Sequence, residues 1–383
     1  MIERAAGKGR VPRLAYLVHD INDPAVARRV IMLRAAGAEL VVAGFRRDER
    51  LPATVAGARV VDLGRTADGA LAQRAGKVVA TLLRPRALLD AVAGAEVVIG
   101  RNLECLALAR RAKRALPGAR LVYECLDIHR TLLGRSLPAR AIQRVEAALL
   151  RSVDLLMVSS PAFQRDYFAH RPMLTAPTLL VENKLLALDG APPVAGKPPA
   201  GPPWTIGWFG NLRCRRSFAV LSDLARRMEG GVRVLIAGRP SPAVFDDFAA
   251  TVAAAPYCRY VGPYSADQLS DLYAQCHFAW GIDYFEEGLN SCWLLPNKLY
   301  EASSFGTVPI ALRSVETGRW LERHGAGLLL DDDDPDAQLE SSLTTLDEPG
   351  YARLRSAVMA IARADLIADA GDCAALLRAI TGR

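Results

Sequence analysis

The sequence lacks the features that would mark a membrane-spanning, secreted or metal-binding protein. It contains no run of about 18 uncharged apolar residues, and its start, MIERAAGKGRVPR, lacks the apolar stretch of a signal peptide. Its seven cysteines form no CxxC pair and show no metal-ligand spacing with the five histidines. We therefore expect a cytoplasmic protein with reduced, mostly buried thiols and no metal site.

The common nucleotide and hydrolase signatures are also missing. The chain has no GxGxxG, no GxxxxGK[ST] and no GxSxG, so nicotinamide, P-loop and serine-hydrolase functions lose their best sequence support. What it does have is 51% apolar residues over 383 positions without a low-complexity tract. That composition predicts a globular protein large enough for two domains and excludes a disordered adaptor.

Charge is distributed unevenly between the two halves of the chain. Residues 1–180 carry a net charge of +13, whereas residues 181–383 carry −6. The basic half favours an anionic membrane surface or an anionic lipid-linked substrate. Nucleic acid is not expected as a partner, because the arginines are spread along predicted helices with few interleaved aromatic residues. Arginines that only solvate helix surfaces would explain the same excess.

The order of apolar runs predicts an α/β fold. Short β-branched runs alternate with amphipathic helical patterns, first in RLAYLVH, ELVVAGF, EVVIG, LVYECLD and DLLMVSS, then in TIGWFGN, VRVLIAG, CRYVGPY, HFAWGI and VPIAL. A Pro- and Gly-rich segment separates the two series. We predict two Rossmann-like doubly wound domains facing across a cleft, with residues 1–188 as the first, 189–204 as a linker and 205–355 as the second. Residues 356–383 would complete a last helix, from about Ala352 to Ile380, that packs back on the first domain.

The segment PNKLYEASSFGTVPIAL predicts a helix from Pro296 to Ser304 at the mouth of a β-α-β crossover. Ligands of open α/β sheets bind beyond the carboxyl ends of the strands, so this helix would present its first turn to a ligand. The free N–H groups and positive dipole end there favour an anionic group such as a diphosphate. Glu301 lies one turn beyond Asn297 on the same face, where its carboxylate would accept hydrogen bonds from a ribose diol. A solvated glutamate on an amphipathic helix is the alternative.

Two glycines in the second half follow predicted strands and precede basic residues. Gly210 is followed by Asn211 and, six positions on, by Arg216; Gly238 is followed by Arg239. Glycine lets the backbone approach a phosphate closely, and arginine can bind one through two hydrogen bonds. Ordinary turns beside basic helices would look the same.

In the first half, polar side chains follow three predicted strands. Asp127 and His129 come at or just after the end of LVYECLD. A carboxylate there would deprotonate an acceptor hydroxyl, and a neutral imidazole would either orient that carboxylate or act as the base itself. Alternatively, Asp127 caps a helix and His129 is a surface residue. His19 and Asp20, after the first strand, and Asn102, after EVVIG, are candidates for acceptor binding.

This order of features resembles the bacterial GT-B-fold glycosyltransferases, in particular those similar to glycosyltransferase family 4. The resemblance spans most of the chain and is strongest from Thr205 to Leu312. GNLRCRRS resembles that family's glycine turn and following basic residue, which implies that Gly210 and Arg216 bind the donor diphosphate.

Two further segments extend the resemblance. CRYVGPYSADQLSDLYAQCHFAW resembles the run leading to the donor pocket, which implies that backbone near Gly262 and Tyr264 holds the base. PNKLYEASSFGTVPIA resembles the segment whose glutamate binds the nucleotide ribose, which implies that role for Glu301. Many retaining members have two glutamates separated by seven residues, but the position eight before Glu301 is Trp293. The anomeric outcome therefore stays open, and an inverting reaction would use Asp127 as its base.

Taken together, the sequence predicts a metal-independent glycosyltransferase without a cofactor. A UDP-sugar or GDP-sugar would bind the second domain, and the acceptor hydroxyl would belong to a glycan or polyprenyl-linked glycan of exopolysaccharide or cell-surface polysaccharide synthesis. A basic, apolar helix from Lys77 to Leu89 would contact the cytoplasmic face of the inner membrane or pack in the core. A GT-B-fold epimerase and a catalytically silent binding protein remain alternatives. The predicted donor-binding residues are Gly210, Asn211, Arg216, Arg239, Gly262, Tyr264, Asn297, Lys298 and Glu301.

Overall fold

The structure, a computed structural model, describes residues 10–47, 49–66, 71–190, 196 and 198–383. The chain divides into two units, one of Met1–Val181 with Asp369–Arg383 and one of Glu182–Ala368. The division comes earlier than the predicted residue 188 because Asn183 Nδ2 donates a hydrogen bond to the Leu295 carbonyl, 2.9 Å away, within the second unit. Of the predicted linker 189–204, residues 191–195 and 197 lie outside the described residues.

The first unit is built on an eight-stranded sheet with the order β3-β4-β2-β1-β5-β6-β7-β8. Only the β3–β4 pair is antiparallel among the pairings of this sheet. The strands are β1 (Arg13–Val18), β2 (Glu39–Arg46), β3 (Thr54–Val55), β4 (Ala58–Arg65), β5 (Val97–Arg101), β6 (Arg120–Cys125), β7 (Leu155–Val158) and β8 (Thr178–Leu180). The helices between them are α1 (Pro24–Ala35), α2 (Leu71–Leu83), α3 (Arg86–Val92), α4 (Asn102–Ala115), α5 (Arg130–Leu133) and α6 (Leu137–Leu150).

The second unit has a six-stranded parallel sheet of order β12-β11-β10-β13-β14-β15 and a separate pair of β9 with β16. Its strands are β9 (Leu185–Leu186), β10 (Trp204–Leu212), β11 (Val232–Pro240), β12 (Cys258–Tyr260), β13 (Phe278–Trp280), β14 (Val308–Leu312), β15 (Leu328–Leu330) and β16 (Ile367–Ala368). Its helices are α7 (Arg215–Arg227), α8 (Phe248–Ala253), α9 (Leu269–Ala274), α10 (Asn297–Ser304), α11 (Glu316–Arg323), α12 (Pro335–Thr345), α13 (Glu348–Met359) and α14 (Arg363–Leu366).

Buried parallel strands explain why the apolar runs in the sequence are nearly continuous. Every residue of β5, β7, β13 and β14 is buried, as expected for strands covered by helices on both faces. The predicted doubly wound α/β fold with two Rossmann-like units is confirmed.

Three predicted helices differ from those observed. The helix expected from Leu71 to Val92 ends at Leu83, because Pro85 interrupts it before α3 begins. The helix expected from Ala243 to Ala254 is reduced to α8. The single last helix, expected from about Ala352 to Ile380, is divided into α13, α14 and a final helix. The helix is interrupted before its last part because β16 is extended there and pairs with β9.

That final helix, α15 (Ala370–Thr381), belongs to the first unit and packs against α1. Asp369 caps its beginning by accepting hydrogen bonds from the backbone of Gly371 and Asp372. At its end, the Arg120 guanidinium donates to two carbonyls, those of Ala379 and Ile380, at 2.9 Å each. A cation at the carbonyl end of a helix stabilises it, so both ends of α15 are held by side chains.

A buried ionic cluster joins four elements of the first unit. Glu124 of β6 accepts hydrogen bonds from Arg29 Nε of α1 at 2.7 Å and from the Tyr16 hydroxyl of β1. Arg101, at the end of β5, donates to the Tyr16 oxygen at 2.8 Å and to Asp23 at 3.1 Å. Burial by itself would raise the pKa of Glu124, but the charges of Arg29 and Arg101 lower it below its ordinary value. Two cations therefore hold this carboxylate ionised inside the unit.

None of the seven cysteines, all of which lie among the described residues, forms a disulfide, and five of them are buried, as predicted: Cys105, Cys125, Cys214, Cys276 and Cys373. In the part of the chain that the structure describes, no helix has the length and apolar character needed to cross a membrane.

Glu124→Gln should destabilise the first unit by about 3–5 kcal/mol, because it leaves two buried guanidinium groups without their carboxylate. In the wild type, the lowered pKa means that this stabilisation is present above the ordinary glutamate value of 4.5 and is lost as the pH falls below it. The stability of E124Q should therefore lack this dependence on acid pH. Far-UV circular dichroism followed in urea, at pH 7 and below pH 4.5, measures the free energy of unfolding of both proteins. The exposed Glu39→Gln is the control; equal acid sensitivity of wild type and E124Q would contradict the assignment.

Gly238→Ala should destabilise the second unit by about 2–4 kcal/mol, because a Cβ there would lie 1.8 Å from the Gly210 carbonyl oxygen at a φ of +140°. All five tryptophans belong to the second unit, so urea unfolding followed by tryptophan fluorescence reports on it. Gly196→Ala, in the same unit, meets no atom within 4 Å and should leave the midpoint unchanged. A wild-type midpoint for G238A would contradict the close approach of the two strands.

Candidate active site

Each of the two large sheets has one place where its strand order reverses, and several of the candidate side chains lie near it. In the first unit the reversal falls between β1 and β5, and in the second it falls between β10 and β13. Open parallel sheets bind ligands beyond the carboxyl ends of the two strands that flank such a switch point. The loops after these four strands are therefore the expected ligand sites.

In the second unit, the predicted helix is observed as α10, which begins at Asn297. Asn297 is exposed and Lys298 is half-buried. Within the described residues, the Lys298 ammonium makes no hydrogen bond or ion pair, although Lys298 and Asp283 line one small pocket together with Ser291 and Thr317. A cation held this way at a helix N-terminus is suited to bind an anionic ligand group.

Neighbouring charges set the electrostatics of that pocket. Burial lowers the pKa of Lys298, while the carboxylates of Asp283 and Glu301 act in the opposite direction. Asp283 follows β13 and lies 3.7 Å from the guanidinium of Arg213, which follows β10. Opposite charges therefore meet across the switch point, and Lys298 adds an ammonium beside them.

Glu301 lies deeper on α10 between two tyrosines. The Tyr273 hydroxyl donates a hydrogen bond to Glu301 Oε2 at 3.2 Å. Burial raises the pKa of Tyr264, and the charge of Glu301 adds to that effect. Glu301 is thus a positioned, half-buried acceptor and not a freely solvated glutamate.

The glycine turns differ from their prediction in one respect. Gly210 does not end a strand, because β10 continues to Leu212 and pairs Gly210 with Gly238 and Asn211 with Arg239 of β11. Asn211 and Arg239 are exposed.

Gly262 and Arg216 are both bound by other residues of the second unit. The Gly262 carbonyl accepts a hydrogen bond from the Gly238 amide at 2.8 Å. Arg216 donates to Glu287 at 2.6 Å and stacks 4.0 Å from the Tyr284 ring centroid, so its guanidinium is engaged by the loop after β13. A ligand phosphate at Arg216 would have to compete with the Glu287 carboxylate.

In the first unit, His19 and Asp20 follow β1 directly. Asp20 is buried, accepts a hydrogen bond from the Asn22 amide and lies 3.6 Å from Arg47. Burial, with the positive charges of Arg101, Arg47 and Arg74, lowers the pKa of His19 to about 4. His19 is therefore neutral at physiological pH, and its buried Nδ1 has no hydrogen-bond partner in the described part of the chain.

Asn102 ties the loop after β5 to the loop after β6. Its backbone has a φ of +62°, a conformation that asparagine tolerates better than most residues, and its Oδ1 accepts a hydrogen bond from the Leu126 amide at 3.3 Å. Asp127, the next residue, is exposed. The predicted strand LVYECLD ends at Cys125, so Asp127 lies on a loop and not in the sheet.

His129 caps α5, a role that the sequence had suggested for Asp127. Its Nδ1 accepts a hydrogen bond from the Thr131 amide at 3.2 Å, which leaves the ring proton on Nε2 in the neutral form. Burial lowers the pKa of His129 below its ordinary value. The ring can therefore donate a hydrogen bond from Nε2, but it is not placed to accept a proton at Nδ1.

Sequence reasoning missed the charged residues that surround these candidates. Glu104, in the first turn of α4, is half-buried and lies 3.7 Å from Arg74 of α2. Burial raises the pKa of Glu104, and the Asp127 charge adds to that effect. The sequence signal that could have identified Glu104 is its position two residues after Asn102, at the start of a predicted helix. Among the described residues, no three His, Cys, Asp or Glu side chains are grouped to hold a metal ion.

Comparison with known proteins gives one close sequence relative. The chain is 42% identical over 374 residues to the succinoglycan biosynthesis protein ExoL of Rhizobium meliloti (strain 1021), covering 96% of this chain and 92% of that protein. No family model matches the sequence.

Solved structures establish the fold. Sucrose-phosphate synthase from Thermosynechococcus elongatus superposes with a TM-score of 0.67 at 15% identity, covering 97% of this chain and 99% of that one. Anabaena Alr3699/HepE in complex with UDP-glucose gives 0.68 at 14% identity, with coverage of 97% and 99%. WaaG, a glycosyltransferase involved in lipopolysaccharide biosynthesis, gives 0.63 at 12% identity, with coverage of 97% and 100%. The predicted GT-B fold is confirmed.

His19 should titrate near pH 4 and not near its ordinary value of 6.5. Because the folded pKa is the lower one, His19 costs stability as the pH falls from 6.5 towards 4, where the unfolded chain takes up the proton first. Arg74→Gln should raise the pKa of His19 by removing a nearby positive charge, and imidazole NMR chemical shifts measure it. The exposed Arg86→Gln should leave the titration unchanged. A wild-type His19 that titrates near 6.5 would contradict this environment.

Proposed function

We propose that the chain, which belongs to the family of the succinoglycan biosynthesis protein ExoL, is a GT-B glycosyltransferase of exopolysaccharide biosynthesis that transfers a hexose from a UDP-sugar to a polyprenyl-linked glycan. The donor would bind the second unit and the acceptor the first. The 42% identity to ExoL along nearly the whole chain carries this proposal.

The proposed donor site is the switch point between β10 and β13. The first turn of α10 presents backbone N–H groups and the unpartnered Lys298 ammonium to the diphosphate, while Glu301 accepts hydrogen bonds from the ribose diol. Tyr264 and the turn at Gly262 would hold the base. The UDP-glucose bound by HepE, which has the same fold, supports a uridine nucleotide as the donor.

The proposed reaction uses basic side chains to offset charge on the departing diphosphate. Lys298 is already desolvated and makes no hydrogen bond or ion pair among the described residues. It therefore has no such contact to break when negative charge develops on the diphosphate. Arg213 lies next to it, across Asp283. We propose no cofactor and assign to these cations the role that a metal ion has in other transferases.

The proposed base is Asp127, on the loop that follows β6. Asn102 fixes this loop through the Leu126 amide, and His129 offers an Nε2–H donor two residues on. In this arrangement Asp127 would accept the proton of the acceptor hydroxyl as the sugar–oxygen bond forms, and His129 would orient that hydroxyl. His19, Asp20 and Asn102 would line the acceptor side of the same site.

We also propose a peripheral location at the cytoplasmic face of the inner membrane. The first 180 residues carry a net charge of +13, and a polyprenyl-linked acceptor would be presented at that anionic surface.

Glu301→Gln should weaken UDP binding about 10- to 100-fold, because a charge-assisted hydrogen bond to the ribose contributes about 1.5–3 kcal/mol. Thermal-shift titration with UDP and with GDP measures the affinity and identifies the base. The surface variant Glu322→Gln, which only breaks an exposed ion pair with Arg313, should bind UDP as the wild type does. UDP binding by E301Q with unchanged affinity would remove Glu301 from the site.

Asp127→Asn should lower kcat about 10²- to 10⁴-fold while UDP-sugar affinity stays the same, because only the proton acceptor is lost. Transfer from radiolabelled UDP-hexose to a lipid-linked glycan, with donor affinity measured in parallel, separates the two effects. Asp90→Asn, an exposed aspartate of the same unit, is the control. Activity of D127N within about twofold of the wild type would exclude Asp127 as the base.

A further inference from the structure

We propose that the outer face of α6 is a docking surface for an anionic lipid bilayer. This inference extends the proposed function, which places the acceptor on a lipid carrier, and it assigns the membrane contact to a different helix from the one that the sequence had suggested. The docking face is defined by Leu137, Arg140, Ile142, Arg144 and Val145.

Large apolar side chains on this face are exposed without packing partners. Leu137 is 80% exposed, Val145 53% and Ile142 36%. Leu137 and Val145 are eight residues apart, two helical turns, and Ala141 lies between them on the same stripe. Single exposed apolar residues are ordinary, but three on one side of one helix form a patch that can enter a headgroup layer.

The charges beside this patch are all positive. Arg140 and Arg144 are exposed on α6, and Arg130 and Arg135 are exposed on the preceding turn; none of the four makes an ion pair within the described residues. The one acidic residue of α6, Glu146, is buried and accepts hydrogen bonds from Tyr167 and Arg171. Unpaired arginines that flank an apolar stripe complement a surface of anionic headgroups, whereas another soluble protein would need matching acids.

The docking face is rigid and joined to the proposed base. Ser136 caps α6 by accepting a hydrogen bond from the Ala139 amide at 3.3 Å. Gln143 donates to the carbonyls of Leu132 and Gly134, at 2.8 and 3.0 Å, and so fixes α5 against α6. Because α5 follows His129 directly, a bilayer under α6 would bring a lipid-linked glycan close to Asp127.

The helix that the sequence had suggested is less suited to this role. Val79 and Leu83 of α2 are exposed at 52% and 77%, and Lys77 and Arg84 are exposed near them, but Arg86 lies 4.0 Å from the exposed Asp90, whose carboxylate would repel anionic lipid. By contrast, α6 and the segment before it, from Arg130 to Arg135, offer four arginines that make no ion pair in the described residues, and no exposed acid. The two helices therefore provide a matched comparison within one unit.

The test is co-sedimentation of the full chain with vesicles of phosphatidylcholine alone or with added phosphatidylglycerol. The wild type should bind the anionic vesicles, and binding should weaken as salt is added. The double variants Leu137→Asp/Val145→Asp and Arg140→Glu/Arg144→Glu should each reduce the partition coefficient about tenfold or more. Val79→Asp/Leu83→Asp is the control and should bind as the wild type does. All substituted positions are exposed, so circular dichroism should show unchanged folding.

Several results would overturn this proposal. They are failure of the wild type to bind anionic vesicles, loss of binding in the α2 variant only, or unchanged binding in both α6 variants. A wild type that elutes as a dimer and α6 variants that elute as monomers, without vesicle binding, would assign the face to a second copy of the chain. UDP affinity measured on the same samples keeps the two proposals separate, because a failed docking surface leaves donor binding intact.

Discussion

Both sheets reverse their strand order beside their first strand, and this topological constraint determines where each unit can bind a ligand. Parallel strands covered on both faces keep ligands out of the sheet, so ligands bind beyond the strand ends. The reversal separates neighbouring loops and opens a crevice between them. In the first unit the loops after β1 and β5 supply His19 and Asn102, and in the second the loops after β10 and β13 supply Arg213 and Asp283.

The two units support these crevices with different electrostatics. Beneath the first lies a buried cluster in which Glu124 is held by two arginines and a tyrosine, so strands β1, β5 and β6 are fixed relative to one another. Burial, together with the charge of Arg101 in this cluster, lowers the pKa of His19 and keeps it neutral. In the second unit the important cation, Lys298, has no protein partner in the described part of the chain. The Glu124 cluster is thus balanced by direct contacts, whereas the Lys298 ammonium is influenced by the carboxylates of Asp283 and Glu301 without an ion pair.

Local sequence patterns were sufficient for the fold and for part of the site. The helix predicted from Pro296 to Ser304 is α10, because a proline start, an apolar face and Gly306 mark its limits locally. The extension of β10 beyond Gly210 depends on pairing with β11 and could not be inferred from the run TIGWFGN. Contacts between distant residues, such as Arg216 with Glu287 or Arg74 with Glu104, have no signature in local spacing. The capping of α5 by His129 was missed because histidine is an uncommon N-cap residue.

Placement of the donor at the second unit's switch point is the central claim, and hydrogen–deuterium exchange with and without UDP tests it most directly. Exchange reports local opening, so a bound nucleotide slows it where backbone amides become ordered. A donor bound at this switch point should slow exchange in residues 210–216 and 297–304, and UDP alone should leave the loops of the first unit unchanged. Protection confined to the first unit, or protection of the second unit that leaves both segments unaffected, would contradict it.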